Sequence, residues 1–421
     1  MSGSTRSTVR VGIVGAGGIA TGAHLPALRA VNEQAGRQRA AVVGIADLDP
    51  ARAASTAAEH GIPAHFPSAE ELLAATRPDL LIVCTPPGAH RSAVVAGLAA
   101  GAWVWCEKPP MLSLEEYDDV ARLEREGGPY ASYVVQHRFG SAAQHLRDQM
   151  SSGRVGRPLV SVCHTLWYRG HDYYDVPWRG KWATEGGGPA MGHGIHQMDL
   201  YLDLMGEWTE VTAVADAQDR TVETEDTSLA IVRFESGALG SIVNTVLAPR
   251  ETSYLRFDFT NGTVEVEHLY GYTNDHWRYT PSPHLPEDQR DAWLPQASTA
   301  SSHAAQLGEL LDSMDRGERP RASGADGRRT LEFIAALYQS AETGRPVRRS
   351  DLTASGPYYT GMHDPAVAYP TADSPQARDD RPGGPPDPAA EAAAAAAPTA
   401  APTGADAAHL PDDTILETSR G

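Results

Sequence analysis

Cysteine is scarce in this 421-residue chain: Cys84, Cys106 and Cys163 are the only three, and no two stand in a CxxC spacing. That excludes a disulfide framework and predicts reduced thiols in a cytoplasmic protein. Long apolar runs are missing too. None approaches the roughly 20 residues that a membrane helix needs, and the opening MSGSTRSTVR has no apolar stretch of the kind a secretory signal carries. Basic charge is short as well: 35 Lys and Arg stand against 54 Asp and Glu, a formal net charge of −19. Without a basic stripe there is no surface for a phosphate backbone, so neither nucleic acid nor a membrane is an expected partner. The acidity is explained by solubility.

What is present is an alternation. Val9–Val14 (VRVGIV) is a β-branched run that stops at glycines, as a buried parallel strand does. A helical stretch runs from about Gly18 to Ala30, and strand-like runs recur at Ala40–Asp47, Asp79–Pro87, Ala102–Pro110 and Tyr130–Phe139 with helical segments between them. This predicts a doubly wound parallel sheet over residues 8–138. From 139 to 355 the period changes. Leu159–Arg169 and Val211–Gln218 alternate, Thr227–Leu247 turns at Ser236-Gly237, and Tyr254–Glu267 turns at Asn261-Gly262. A mainly antiparallel sheet is expected there, closed by two helices, SSHAAQLGELLDSMDRG and ADGRRTLEFIAALYQSAETG. Residues 369–421 are Pro/Ala-rich, a composition that buries no core and predicts a disordered tail.

Gly15, Gly17, Gly18, Ile19 and Ala20 spell G-x-G-x-x-A directly after the first strand. Bare backbone there lets a pyrophosphate approach a helix N-terminus. Asp47 ends the second strand, where a carboxylate binds ribose hydroxyls and repels a 2′-phosphate, so NAD is favoured over NADP. Thr85, Pro86 and His90, then Glu107 and Lys108, follow the ends of later strands, where ligands bind in open α/β sheets. These are the expected cofactor residues, with Lys108 close to the reacting ring.

The stretch GGGPAMGHGIHQMDL, Gly186 to Leu200, holds His193, His196 and Asp199. An imidazole titrating near neutrality suits the removal of a hydroxyl proton. The three residues also have the spacing of metal ligands on a helix, but no fourth ligand such as a cysteine is near. Between Trp167 and Trp182 lies WYRGHDYYDVPWRGKW. Trp167, Tyr168, Arg169, Trp178 and Arg179 are expected to line a pocket in which rings stack on sugar C–H surfaces and polar tips bind hydroxyls. His137 and Arg138, at the end of the last parallel strand, are expected substrate contacts.

Taken together, GxGxxA with His24-Leu25-Pro26-Ala27-Leu28, Asp47, TPP…H, AGAWVWCEKP and GGGPAMGHGIHQMDL resemble the glucose–fructose oxidoreductase / inositol dehydrogenase / rhizopine-catabolism (Gfo/Idh/MocA) family, from about Val9 to Leu352. The resemblance implies a Rossmann domain joined to an α+β domain with an open-faced sheet, through which members form dimers or tetramers. It implies NAD(P)-dependent oxidation or reduction of a sugar, cyclitol or glycoside hydroxyl, and no metal. The family's EKP lysine falls on Lys108 and its late catalytic histidine on His196, with Asp199 three positions on as an orienting or substrate-side carboxylate. The chain departs from the pattern at Gly192, where many members carry an aspartate; His193 is the neighbour that stands in for part of that function or caps the helix. Two other readings remain: a redox-neutral glycosidase, epimerase or lyase of the same fold, and a non-catalytic NAD-sensing regulator.

Overall fold

The computed structural model describes residues 8–367 apart from 291, 292 and 296; the Pro/Ala-rich tail lies outside the described residues. Six strands form the first sheet: β1 (Val9–Val14), β2 (Ala40–Ala46), β3 (His65–Phe66), β4 (Leu80–Val83), β5 (Trp103–Cys106) and β6 (Ala131–Tyr133). All pair in parallel, in the order β3-β2-β1-β4-β5-β6. Helices cover both faces, so the central strands are apolar throughout; every residue of β4 is buried. The order reverses between β1 and β4. The connections leaving those two strands therefore diverge and open a crevice at their C-terminal ends.

The last run of this half is shorter than its sequence suggests. β6 ends at Tyr133, and Gln136–Phe139 is a 3-10 turn rather than strand.

Eight strands form the second sheet: β7 (Pro158–Tyr168), β8 (Trp208–Asp216), β9 (Thr227–Phe234), β10 (Leu239–Thr245), β11 (Leu247–Phe259), β12 (Gly262–Glu267), β13 (Trp277–Pro281) and β14 (Val347–Arg348). Their order is β13-β12-β11-β7-β10-β9-β8-β14, antiparallel except for β7 with β10. The β9–β10 hairpin closes around Gly237, as its sequence predicts. In the β11–β12 hairpin Phe259 pairs with Gly262, so the two-residue turn is Thr260-Asn261, one position earlier than expected.

Along β9 the side chains alternate: Ala230, Val232 and Phe234 are buried, and Leu229 and Ile231 are exposed. The buried face packs under the helices Ile195–Met205 and Gly324–Thr343, the latter tied to β8 by Ser340 Oγ, which accepts the Ala213 N–H at 2.9 Å. The other closing helix, His303–Arg316, serves the first sheet instead. Its apolar stripe Leu307, Leu310 and Leu311 joins Leu25, Leu28 and Val31 in the core beside β1. The C-terminal part of the chain thus returns to seal the N-terminal core.

Candidate active site

A cleft of about 420 Å³ lies over the C-terminal ends of β1, β2, β4 and β5. Gly15 starts it with φ +95°, and a Cβ there would stand 2.5 Å from the Cys84 carbonyl oxygen. Only glycine lets β1 and β4 approach this closely. Gly17 has nothing within 4 Å of its Cβ position, so its bare backbone faces open cleft. Gly18, Ile19, Thr85 and Pro86 line the same wall, and Thr85 Oγ1 is buried with no protein partner among the described residues. A hydroxyl so placed lacks the hydrogen bond it would have in water, as a group awaiting a ligand does. Asp47 accepts the Ala16 N–H on Oδ2 and the Asp49 N–H on Oδ1, both at 2.8 Å, which fixes its carboxylate at the rim. The narrow glycine turn, the orphan hydroxyl and the fixed carboxylate fit a dinucleotide.

His90 is not in the lining. It is buried, with its ring nitrogens 2.8 Å from the carbonyl oxygens of Thr85 and Pro109. It braces the two loops that carry the site and does not meet a cofactor, because its imidazole is used up in joining them. Glu107 reaches the cleft only in part: Oε1 lies 2.7 Å from His24 Nε2 and 3.4 Å from His303 Nε2. Burial pushes its carboxyl up, but the two histidines outweigh this and hold it well below the usual carboxylate range. These three residues form the one group of ligand type that converges among the described residues. At these distances they are explained by hydrogen bonds.

Lys108 projects into the cleft from the end of β5, and its Nζ donates to the Gly192 carbonyl at 2.9 Å. This contact joins the two halves of the molecule at the point where chemistry is expected. On the far side, Pro189–Gly192 is one helical turn and Ile195–Met205 is the next helix. The glycine run is needed there: a Cβ on Gly188 would collide with the Glu225 carbonyl, and the Glu225 carboxylate accepts the N–H groups of Gly188 and Ala190 at 2.9 and 3.0 Å. His193 lies between the two helices, its Nε2 3.3 Å from the Tyr173 hydroxyl and its ring edge-on to Trp167 at 5.4 Å. Burial, then the charges of Arg169, Lys108 and Arg179, hold its pKa well below the ordinary histidine value, so it is neutral at pH 7. His196, 2% exposed, sits one turn after Gly192 among the rings of His137 (5.7 Å) and Tyr270 (5.3 Å).

The aromatic loop divides. Arg179 stacks on Tyr173 at 3.6 Å and on Trp178 at 4.6 Å, and both Arg179 and Trp178 line the cleft. Arg169 lies over Trp167 and pairs with Glu251 at 3.2 Å. Trp167 is buried, with Nε1 donating to Ser253 Oγ at 2.9 Å. Tyr168, its neighbour on β7, points from the opposite face of the sheet and is exposed, because side chains alternate along a strand. It is not placed to meet a substrate.

Arg138 and Asp199 require a larger correction. Arg138 is fully buried; its Nε and Nη2 donate to the two Asp199 oxygens at 2.5 Å and its Nη1 to Asp326 at 2.8 and 2.9 Å. Asp199 also accepts from the Thr330 hydroxyl at 2.9 Å. Neither has surface left for a substrate, and Asp199 is directed at Arg138 and not at His196. His193, His196 and Asp199 therefore do not converge as metal ligands. His137, stacked on Tyr272 at 4.5 Å, stays next to His196 as a wall of its chamber.

Two cleft residues, Arg52 and Glu185, and one neighbour of His196, Tyr270, escape a reading of the sequence. Arg52 stands 3.5 Å from Asp47 and lines the rim; its signal is the five-residue step from Asp47 across the helix start at Pro50. Glu185 lines the cleft beside Gly192, and Tyr270 faces His196. A lone glutamate or tyrosine in a loop has no periodic signal.

Fold and site together define an oxidoreductase built on an NAD-binding Rossmann domain. The family model described as "Oxidoreductase family, NAD-binding Rossmann fold" matches residues 9–134, and the "GFO/IDH/MocA C-terminal domain" matches residues 143–265. The chain belongs to the Gfo/Idh/MocA oxidoreductase family. It is similar to the D-glucoside 3-dehydrogenase of Escherichia coli strain K12, 25% identical over 371 residues and covering 82% of this chain and 99% of the relative. It is also similar to the 1,5-anhydro-D-fructose reductase of Ensifer adhaerens, 27% identical over 341 residues, covering 80% and 97%. Among solved structures, the WlbA dehydrogenase of Bordetella pertussis in complex with NADH and UDP-GlcNAcA superposes with a TM-score of 0.71 at 27% identity, covering 81% of this chain and 99% of that one. No helix among the described residues is long and apolar enough to cross a membrane.

Proposed function

We propose that this protein is a cytoplasmic NAD-dependent dehydrogenase that oxidises a hydroxyl of a sugar, cyclitol or glycoside, or reduces the matching ketone. One observation carries the reading. Lys108 shares a cleft with the dinucleotide loop and reaches across to Gly192, one turn before His196. NAD, when bound by Gly15–Ile19, Asp47, Thr85 and Pro86, supplies a hydride acceptor. Lys108 Nζ holds the substrate oxygen by a hydrogen bond, and His196 takes the hydroxyl proton as a general base. Neutral His193 and the stacked Arg169 and Arg179 bind the remaining hydroxyls, against a ring wall that excludes water. Asp47 favours NAD over NADP.

The relatives' names support a carbohydrate substrate. The test is NADH formation, followed by absorbance, with a panel of monosaccharides, inositols, anhydrosugars and glycosides. A hit abolished by Lys108→Ala is expected. Demonstrable NAD binding with silence across the panel would move the assignment to a redox-neutral or regulatory role.

The second sheet leaves Val214 and Ile231 63% and 62% exposed on one face, beside Val160, Leu229 and Leu239. Exposed apolar side chains gathered on one face are what a subunit interface covers. They support a homodimer or homotetramer through this open sheet, and a monomer in analytical ultracentrifugation would contradict it.

A further inference from the structure

Gly192 stands where many members of the family carry an aspartate, and the structure shows what lies beside it. A Cβ on Gly192 would have Glu185 Oε1 at 3.4 Å and nothing nearer. Glu185 is 5% exposed and ends the helical turn Trp182–Glu185. Its Oε2 accepts the Gly180 N–H at 2.6 Å, which aims Oε1 at Gly192. The turn itself is pinned: Trp182 Nε1 donates to the Glu223 carbonyl at 2.8 Å and the Thr184 hydroxyl to the Trp178 carbonyl at 2.6 Å. Lys108 reaches the same residue, with Nζ 2.9 Å from the Gly192 carbonyl oxygen, and all three residues line the cleft. An aspartate at 192 would have to share this space with a buried carboxylate.

We propose that Glu185 is the positioning residue for Lys108: its carboxylate, brought in from the aromatic loop over the bare Gly192, supplies the counter-charge that keeps the lysine ammonium charged and aimed into the cleft. The need is electrostatic. Lys108, Arg169 and Arg179 all act on the His193 imidazole, so three cations crowd this corner of the site. Glu107 is adjacent, but its carboxylate is engaged with His24 and His303. His90 is used in bracing the loops. A carboxylate within a few ångströms raises the pKa of an ammonium, whereas burial and neighbouring cations lower it. The catalytic role given to Lys108 rests on the reading above, but the charge coupling does not depend on any substrate.

The chain has only two lysines, Lys108 and Lys181, so its lysine charge is directly readable. With [ε-13C]lysine labelling the whole protein gives two lysine signals, and Lys181→Arg assigns them. Titrating these signals in wild type and Glu185→Gln tests the proposal without substrate or cofactor. Gln keeps the size of the side chain and an oxygen for the Gly180 N–H. We expect Glu185→Gln to lower the Lys108 titration midpoint by about one pH unit or more, with Lys181 unmoved. Glu185→Gln/Gly192→Asp should restore it. A Lys108 midpoint that does not move in Glu185→Gln overturns the proposal. So does a double variant that folds, binds NAD and still titrates like the single variant. If Glu185→Gln fails to fold, Glu185→Ala/Gly192→Asp compared with Glu185→Ala gives the same reading. Loss of the coupling leaves the dehydrogenase assignment standing, and turnover surviving Lys108→Ala removes that assignment while leaving the coupling.

Discussion

Lys108 and Arg138 make an instructive pair. Each follows an apolar run of the parallel sheet, WVWCEK and YVVQHR, and each is placed by its sequence at a strand end facing the cleft. Arg138 ends up with Nε and both terminal nitrogens committed to Asp199 and Asp326, fully out of water. Lys108 ends up on the cleft wall, with its Nζ on a main-chain carbonyl across the domain boundary. The difference comes from their surroundings and not from the residues themselves. Arg138 lies in a 3-10 turn between two helices that each present an aspartate, and a planar guanidinium fits two carboxylates in a fixed geometry. A lysine offers a point charge on a flexible stem, suited to a partner that changes during a reaction. A buried cation that is fully paired holds a fold together, and one that opens on a cleft is available for chemistry.

This contrast can be broken. Arg138→Ala leaves Asp199 and Asp326 without their partner and should cost about 3–5 kcal/mol, the range for removing one member of a buried pair. The urea midpoint of unfolding reads it. A loss below about 1 kcal/mol would show that Arg138 does not hold the two helices, and its assignment to the substrate would return. A smaller effect sharpens the cofactor side. Asp47→Ala should weaken NAD by about tenfold, the worth of a hydrogen bond to a charged group, while NADP changes less. Calorimetric titration of both nucleotides measures it, and an unchanged preference would show that Asp47 serves only to pin the Ala16 loop.

The cofactor half was the more legible in the sequence. Buried parallel strands are continuous apolar runs, and the chemistry sits at their ends beside glycines, so Gly15, Asp47, Thr85 and Lys108 could be placed without a structure. The bracing role of His90 is not legible there, because a histidine at a strand end looks the same whether it meets a ligand or two carbonyls. The substrate half was legible in composition and not in direction. The pleat of β7 settles that Trp167 points in and Tyr168 out, and strict alternation along the strand would have separated them. The direction of Asp199 is hidden in the sequence because its partner lies 61 residues away in another element. Glu185 could not be found from a neighbouring pattern at all, since its meaning depends on Gly192, which is silent until the space above it is seen.

In the proposed dehydrogenase, Lys108 and His196 do proton chemistry on a substrate oxygen while the glycine loop holds NAD independently. The most direct test measures NAD affinity and turnover on the same preparations of wild type, Lys108→Ala and His196→Ala, with whichever substrate the screen yields. NAD dissociation constants within about threefold of wild type are expected, with turnover lower by about 10²–10⁴ in each variant. Turnover near wild type in either variant, or NAD binding lost in step with turnover, would contradict it.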